Sequence, residues 1–266
     1  DTTHVNQLNA TQIGGLTATQ VANLTSTEFG ELVTTQIDAF TKTQLGALST
    51  TNLNVLDTTQ AQGLNATQLS GLTITQVSNL STTAFGELTT TQVNGLSATQ
   101  LGHLSTTNID SLNATAVQAL SATQLRALTS TQLSNLNSTD IGELNATNVQ
   151  ALTATQVAAL GATNFAALVD TQVQALSATQ LKGVSTTQLS NLTSTDVGEF
   201  TATQVGALTS TQLNSLGATN IGALATTQVQ ALTVTQIRAL SADALAALDT
   251  THVNQLNATQ IGGLTA

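Results

Sequence analysis

The sequence predicts an all-α solenoid of very short helices, one per eight-residue repeat, with about 3.5 repeats in each turn. Three observations predict it. Thirty-three octads run through residues 1–264 without insertion or deletion, and Thr265-Ala266 begins another. Each octad opens on a helix-start signal and places two apolar residues on one helical face. Above the octad lies a second period of 56 residues, or seven octads. An unbroken short period makes a quasi-one-dimensional stack in which each unit touches its near neighbours, so residues 1–266 read as a single continuous array.

Thr17-Ala18-Thr19-Gln20-Val21-Ala22-Asn23-Leu24 is a representative octad. Position one is Ser, Thr, Asn or Asp in 28 of 33 copies, the exceptions being Val33, Gly161, Val169, Gly217 and Ala225. Those four types, and Gly, are the residues that cap helix N-termini, because a short side-chain oxygen accepts an otherwise orphaned N–H. Position four is Gln in 20 copies and Glu at Glu28. Ser or Thr followed three residues later by Gln or Glu is a capping box, and an apolar residue before the cap facing one at the fourth helical position is a hydrophobic staple; Leu16 and Val21 stand in that register. Position eight is Leu except at Phe40, Val184 and Phe200, and position five is apolar throughout, with Ala61 the smallest. Positions five and eight lie three apart and share a face. Each octad therefore reads as a helix of roughly six residues, too short to persist alone, whose apolar face must be buried by its neighbours.

Position three is Thr in every copy except Asp243, although a capping box does not require it. A hydroxyl bonded to the backbone of the next coil, forming a ladder, is one reading; duplication history is the other. The rival fold is a β-solenoid, with Thr-x-Thr and the following apolar residue as a short strand and Gln and Asn ladders between coils. Against it, positions five and eight break a period of two, and Ala and Gln are frequent.

The 56-residue period relates Phe29-Gly30-Glu31-Leu32, Phe85-Gly86-Glu87-Leu88, Ile141-Gly142-Glu143-Leu144 and Val197-Gly198-Glu199-Phe200. Asn52, Asn108, Asn164 and Asn220 recur with the same spacing, as do Arg126, Lys182 and Arg238. Seven octads closing two turns would place equivalent residues on one face, whereas duplication alone would also generate the period. Asp1 through Ala18 recurs letter for letter as Asp249 through Ala266, an offset of 31 octads. This predicts a longer protein built of tandem blocks, of which these residues are one block plus overlap.

Composition narrows the function. Charged residues make up 7% of the chain and the net charge is −10. The four basic residues, Lys42, Arg126, Lys182 and Arg238, cannot track a phosphate backbone, and aromatic stacking platforms are lacking, so nucleic acid is not an expected partner. No apolar run is long enough to span a bilayer, which predicts no membrane insertion. With no cysteine, no thiolate metal site or disulfide framework is expected.

Candidate chemistry reduces to a few residues. The acids pair three apart at Glu28/Glu31, Asp140/Glu143 and Asp196/Glu199. Stacked carboxylates could hold Ca²⁺, but acids in a first helical turn are also favoured by the dipole, and Ala84 and His252 occupy equivalent positions. His4, His103 and His252 are isolated and read as polar substitutions. Asn9-Ala10-Thr11 matches a glycosylation acceptor only because a capping Asn precedes the position-three Thr. No catalytic, cofactor-binding or metal residue is assigned, no cofactor is expected, and an enzyme is the least expected class.

The run Leu120-Ser121-Ala122-Thr123-Gln124-Leu125-Arg126-Ala127-Leu128 resembles the Ala-Leu-Thr-Thr-x-Gln-type octapeptide arrays of very large secreted bacterial surface proteins, haemagglutinin- or adhesin-like. The resemblance covers the whole chain and implies an extracellular or cell-surface location. The expected function is a structural segment of a bacterial filament or stalk, with itself as partner through a continuing stack or head-to-tail fibre. The alternative is an adhesin or ice-binding module that uses Thr and Gln ladders.

Overall fold

A computed structural model describes residues 2–264; Asp1, where the octad pattern begins, and Thr265-Ala266, the start of a further octad, lie outside the described residues. Among the described residues there is one 3₁₀ helix, Thr2–Gln7, followed by 32 α-helices of four to seven residues, and no strand. The all-α solenoid of one short helix per octad is therefore the fold, and the β-solenoid is not.

Each helix begins where the capping chemistry places it. Thr41 is extended (φ −73°, ψ 158°), its hydroxyl accepts the Gln44 N–H at 3.3 Å, and Gln44 Oε1 accepts the Thr41 N–H at 2.7 Å. The helix Lys42–Ala47 then ends at Leu48, whose extended backbone (φ −63°, ψ 150°) delivers the chain to the next cap, Ser49. Leu at position eight thus closes one helix while its side chain is buried. At Val33, Val169 and Ala225 the cap has no side-chain acceptor. The position-four N–H bonds instead to the cap carbonyl (2.8, 2.8 and 2.9 Å), while the Gln oxygen still takes the cap N–H.

Gly161 and Gly217 differ from the expected glycine caps. Both adopt positive φ (77° and 79°), and the preceding Leu160 and Leu216 are helical instead of extended. A left-handed glycine here takes the place of the extended cap, a conformation that a Cβ would strain.

The chain comprises two compact units, Asp1–Gln132 and Leu133–Ala266. In the first unit, Gln44 donates to the carbonyls of Ile13 (2.9 Å) and Leu16 (2.7 Å), Gln76 to Leu45 and Leu48, and Gln100 to Leu69 and Leu72. In the second, Gln172 donates to Ile141 and Leu144, Gln204 to Val173 and Leu176, and Gln236 to Val205 and Leu208. The partners lie 31 and 28 residues back, at positions five and eight of the octad four earlier. Helices also pack on those three octads away, as Ala18–Ala22 does on Lys42–Ala47 and Ala154–Ala159 on Ala178–Gly183. A turn in each unit is thus about 28 residues, three and a half octads. The 56-residue sequence period is two turns.

The core of each unit is built from positions five and eight. Ile13, Phe29, Leu45, Val157, Leu181 and Ile221 are fully buried. Phe29 and Phe40 pack ring on ring at 5.8 Å between centroids, tilted 57°. Turns approach closely at some of the position-six glycines: a Cβ on Gly102 would meet the Ala127 carbonyl oxygen at 2.6 Å, and one on Gly206 would meet that of Ala231 at 2.8 Å.

Candidate functional surface and the buried amide network

The most distinctive chemistry in the fold is internal. From Gln36 to Gln260 every position-four Gln is buried. Its amide oxygen closes the capping box of its own octad, and its amide nitrogen bridges to the previous turn. Gln is the residue that does both, because its amide carries an acceptor and two donors on a stem long enough to span the gap. Buried amides with both ends satisfied avoid the desolvation penalty of about 1–3 kcal/mol per orphaned group.

The substitutions at position four separate the two roles. Glu28, Asp140 and Asp196 keep the cap, accepting the N–H of Thr25 (2.8 Å), Asn137 (2.7 Å) and Thr193 (2.6 Å), but a carboxyl group lacks the amide N–H pair that Gln turns to the previous turn. Asn is one methylene shorter and reaches one way only. Asn52, Asn108 and Asn220 donate back to Leu24 (2.8 Å), Leu80 (3.0 Å) and Leu192 (2.7 Å). Asn148 instead accepts the Asn145 N–H (3.0 Å). The cost of the short stem is visible at Asn108, whose Oδ1 is buried without a partner. His252 reproduces both functions with its two ring nitrogens: Nε2 bonds the Leu224 carbonyl at 2.7 Å, and Nδ1 meets the Asp249 N–H at 3.3 Å. The His252 N–H donates in turn to Asp249 Oδ1 (2.9 Å), which holds that carboxyl below its ordinary range.

This dual role was missed in the sequence, although a signal was present. A capping box accepts Glu as readily as Gln, yet position four has 20 Gln and one Glu. The excess marks a position where a donor is needed.

The ladder between turns is therefore made by position four and not by the position-three Thr. That Thr is solvent-exposed in every copy from Thr11 to Thr259, as is Asp243. What the chain displays is an array of threonine methyls and hydroxyls; the Gln ladder is inside and unavailable to a ligand.

The acidic pairs divide. Their first members cap helices, as above. Among the second members, Glu31 is exposed and accepts from Asn6 at 3.1 Å. Glu199 is half-buried; burial first, then hydrogen bonding and repulsion from Asp170 and repulsion from Asp196, push its carboxyl up to about 7, and its Oε2 is buried without a partner. Among the described residues, no group of three or more His, Asp or Glu comes together in a way that could hold a metal ion. His103 is exposed and bonds the Thr99 carbonyl at 2.8 Å, and His4 is exposed within the 3₁₀ helix. Among the described residues, no helix is long and apolar enough to cross a membrane.

Residues 221–258 match the family model described as the ALTTAQ repeat. No curated protein matches the chain. The chain is a tandem-repeat, helical solenoid protein.

Proposed function

We propose that the chain is a non-catalytic structural segment of a bacterial filament or surface stalk, located outside the cell. One observation carries this reading: the polar and apolar requirements of each turn are met by the turns before and after it. Gln76, for example, joins its own cap at Thr73 to the carbonyls of Leu45 and Leu48. A structure of this kind resists pulling and swelling through many equivalent small units. Among the described residues the short helices follow one another without a long irregular loop, the usual support for a unique set of catalytic groups. The exposed Thr, Ser and Asn of positions one to three keep the surface wet, and the net charge of −10 opposes non-specific association. The extracellular and bacterial assignment rests on the resemblance to secreted repeat arrays, and a continuing stack or fibre of the same units is its expected partner.

Electron microscopy of native material tests this directly. Filaments or stalks of uniform width carrying this segment are the expected result; a dispersed globular particle bearing a hydrolytic activity would overturn it. A second reading, a displayed threonine array that binds a surface or an ice lattice, is favoured by the exposure of every position-three Thr from Thr11 to Thr259. Thermal hysteresis of the purified chain separates that reading from the purely structural one.

A further inference from the structure

We propose that the Asn of octad position six is a second latch between turns, engaged where the buried Gln ladder is missing, and that Asn54 thereby holds shut a built-in release point at residues 81–88. Neither property depends on the chain being a filament or a stalk.

Position four is Ala at Ala84, Ala116 and Ala244. Alanine offers neither the oxygen that takes a cap N–H nor the amide donors that reach the previous turn. At two of these sites an Asn of the previous turn supplies the oxygen. Asn54 Oδ1 accepts the Ser81 N–H at 2.8 Å, and Asn214 Oδ1 accepts the Ser241 N–H at 2.8 Å. The other end of each amide donates to a carbonyl two residues before the cap, Asn79 (3.0 Å) and Ala239. The latch therefore reaches forward by 25 and 27 residues, whereas a Gln such as Gln76 reaches back by 31 and 28.

Where position four can accept, the same Asn does not engage the cap. Asn94 stands in the equivalent place, but Gln124 already takes the Ser121 N–H (2.9 Å), and Asn94 Oδ1 is buried without a partner. Asn6 is a second case: the Val33 N–H goes to Gln36 (2.9 Å), and Asn6 donates to Glu31 instead. At Ala116 the equivalent residue is Gly86, which has no side chain to offer. Asn and Gln thus compete for one N–H, and the Asn takes it when the Gln is absent.

The latch replaces only part of the ladder. Gln76 bonds the Thr73 N–H and the carbonyls of Leu45 and Leu48, whereas Ala84 has nothing to give the corresponding carbonyls of Leu53 and Leu56. A hollow of about 20 Å³ opens beside it, lined by Leu53, Leu56, Ala61, Leu80, Ala84 and Leu88. Asn54 itself is half-buried, within reach of water. A turn with fewer buried bonds, a void beneath it and a water-accessible latch opens at a lower free energy than its neighbours.

Amide hydrogen exchange of the purified chain, resolved to single residues, tests this. In the wild type, residues 81–88 are expected to exchange faster than 73–80 and 89–96. N54A is expected to speed exchange at Ser81 by at least ~10-fold, the scale of one lost hydrogen bond. N94A is expected to leave Ser121 unchanged, because Gln124 holds that N–H. Q124A is expected to leave Ser121 protected, since Asn94 Oδ1 can then accept, and Q124A/N94A to expose it by at least ~10-fold. Should circular dichroism show that N54A has lost its helices, N54D keeps the acceptor oxygen and is expected to hold Ser81 as the wild type does. Unchanged Ser81 exchange in a folded N54A, an unprotected Ser81 in N54D, residues 81–88 no faster than their neighbours, or a Ser121 as exposed in Q124A as in the double variant would each overturn the proposal.

Discussion

Residues 4–16 and 252–264 have the same sequence and opposite surroundings. In the first copy Gln12 is exposed and Ile13 is 0% exposed; in the second Gln260 is 3% exposed and Ile261 is 38% exposed. His4 is exposed in a 3₁₀ helix, with a non-helical φ of −132°, whereas His252 is buried and bridges to Leu224. The contrast shows which way each octad position looks. Position four reaches the preceding turn and is buried when one exists; position five is covered by the following turn. An octad is therefore polar along the stack, with its amide donor aimed backward and its apolar residue covered from ahead.

The largest test of that comparison is the isoleucine pair. Ile13→Ala should cost about 2–5 kcal/mol, as a fully buried truncation does, and Ile261→Ala less than ~1 kcal/mol. Urea unfolding of the two variants reads the difference, and equal losses would mean that the following turn does not cover position five. The glutamines should behave in the reverse sense. Gln260→Ala strands the Leu232 and Gln230 carbonyls as well as the Asn257 N–H, for a loss of about 2–3 kcal/mol. Gln12→Ala gives up only the bond to the Asn9 N–H, about 0.5–1 kcal/mol. A smaller gain is expected where the cap half of the design is missing: Val169→Thr restores a side-chain acceptor and removes a half-exposed valine, raising stability by about 0.5–1 kcal/mol in thermal melts.

A separate test concerns the half-buried carboxyl of Glu199. Glu199 is raised from its ordinary 4.5 to about 7, so its stabilising contribution is present below pH 4.5 and is lost as pH rises through 7. Thermal melts at pH 5 and pH 8 should differ accordingly, with the melting temperature lower at pH 8. Glu199→Gln should narrow that difference by removing both the titration and the repulsion from Asp170 and Asp196.

Much of this was legible in the chain. Thr41 and Gln44 announced a helix start, Leu45 and Leu48 its buried face, and the recurrence of Phe29-Gly30-Glu31 at Phe85-Gly86-Glu87 a two-turn period. Three features were not legible. A capping box explains Gln44 at the local level, and the excess of Gln over Glu at position four calls for a donor without naming its partner, a carbonyl 31 residues away. The position-three Thr suggested a ladder because it is nearly invariant, but the helix turns its side chain to solvent. Gly161 and Gly217 read as ordinary caps, and only the backbone shows them in a left-handed conformation.

The sequence by itself determined the period, the helix boundaries and the buried face, because capping and apolar spacing act within eight residues. Only the tertiary structure decided what lies three and a half octads away: which carbonyls receive the Gln amides, which face of an octad a neighbour covers, and hence why identical ends differ. Those outcomes depend on contacts at a sequence distance of about 28 residues, which no local pattern encodes.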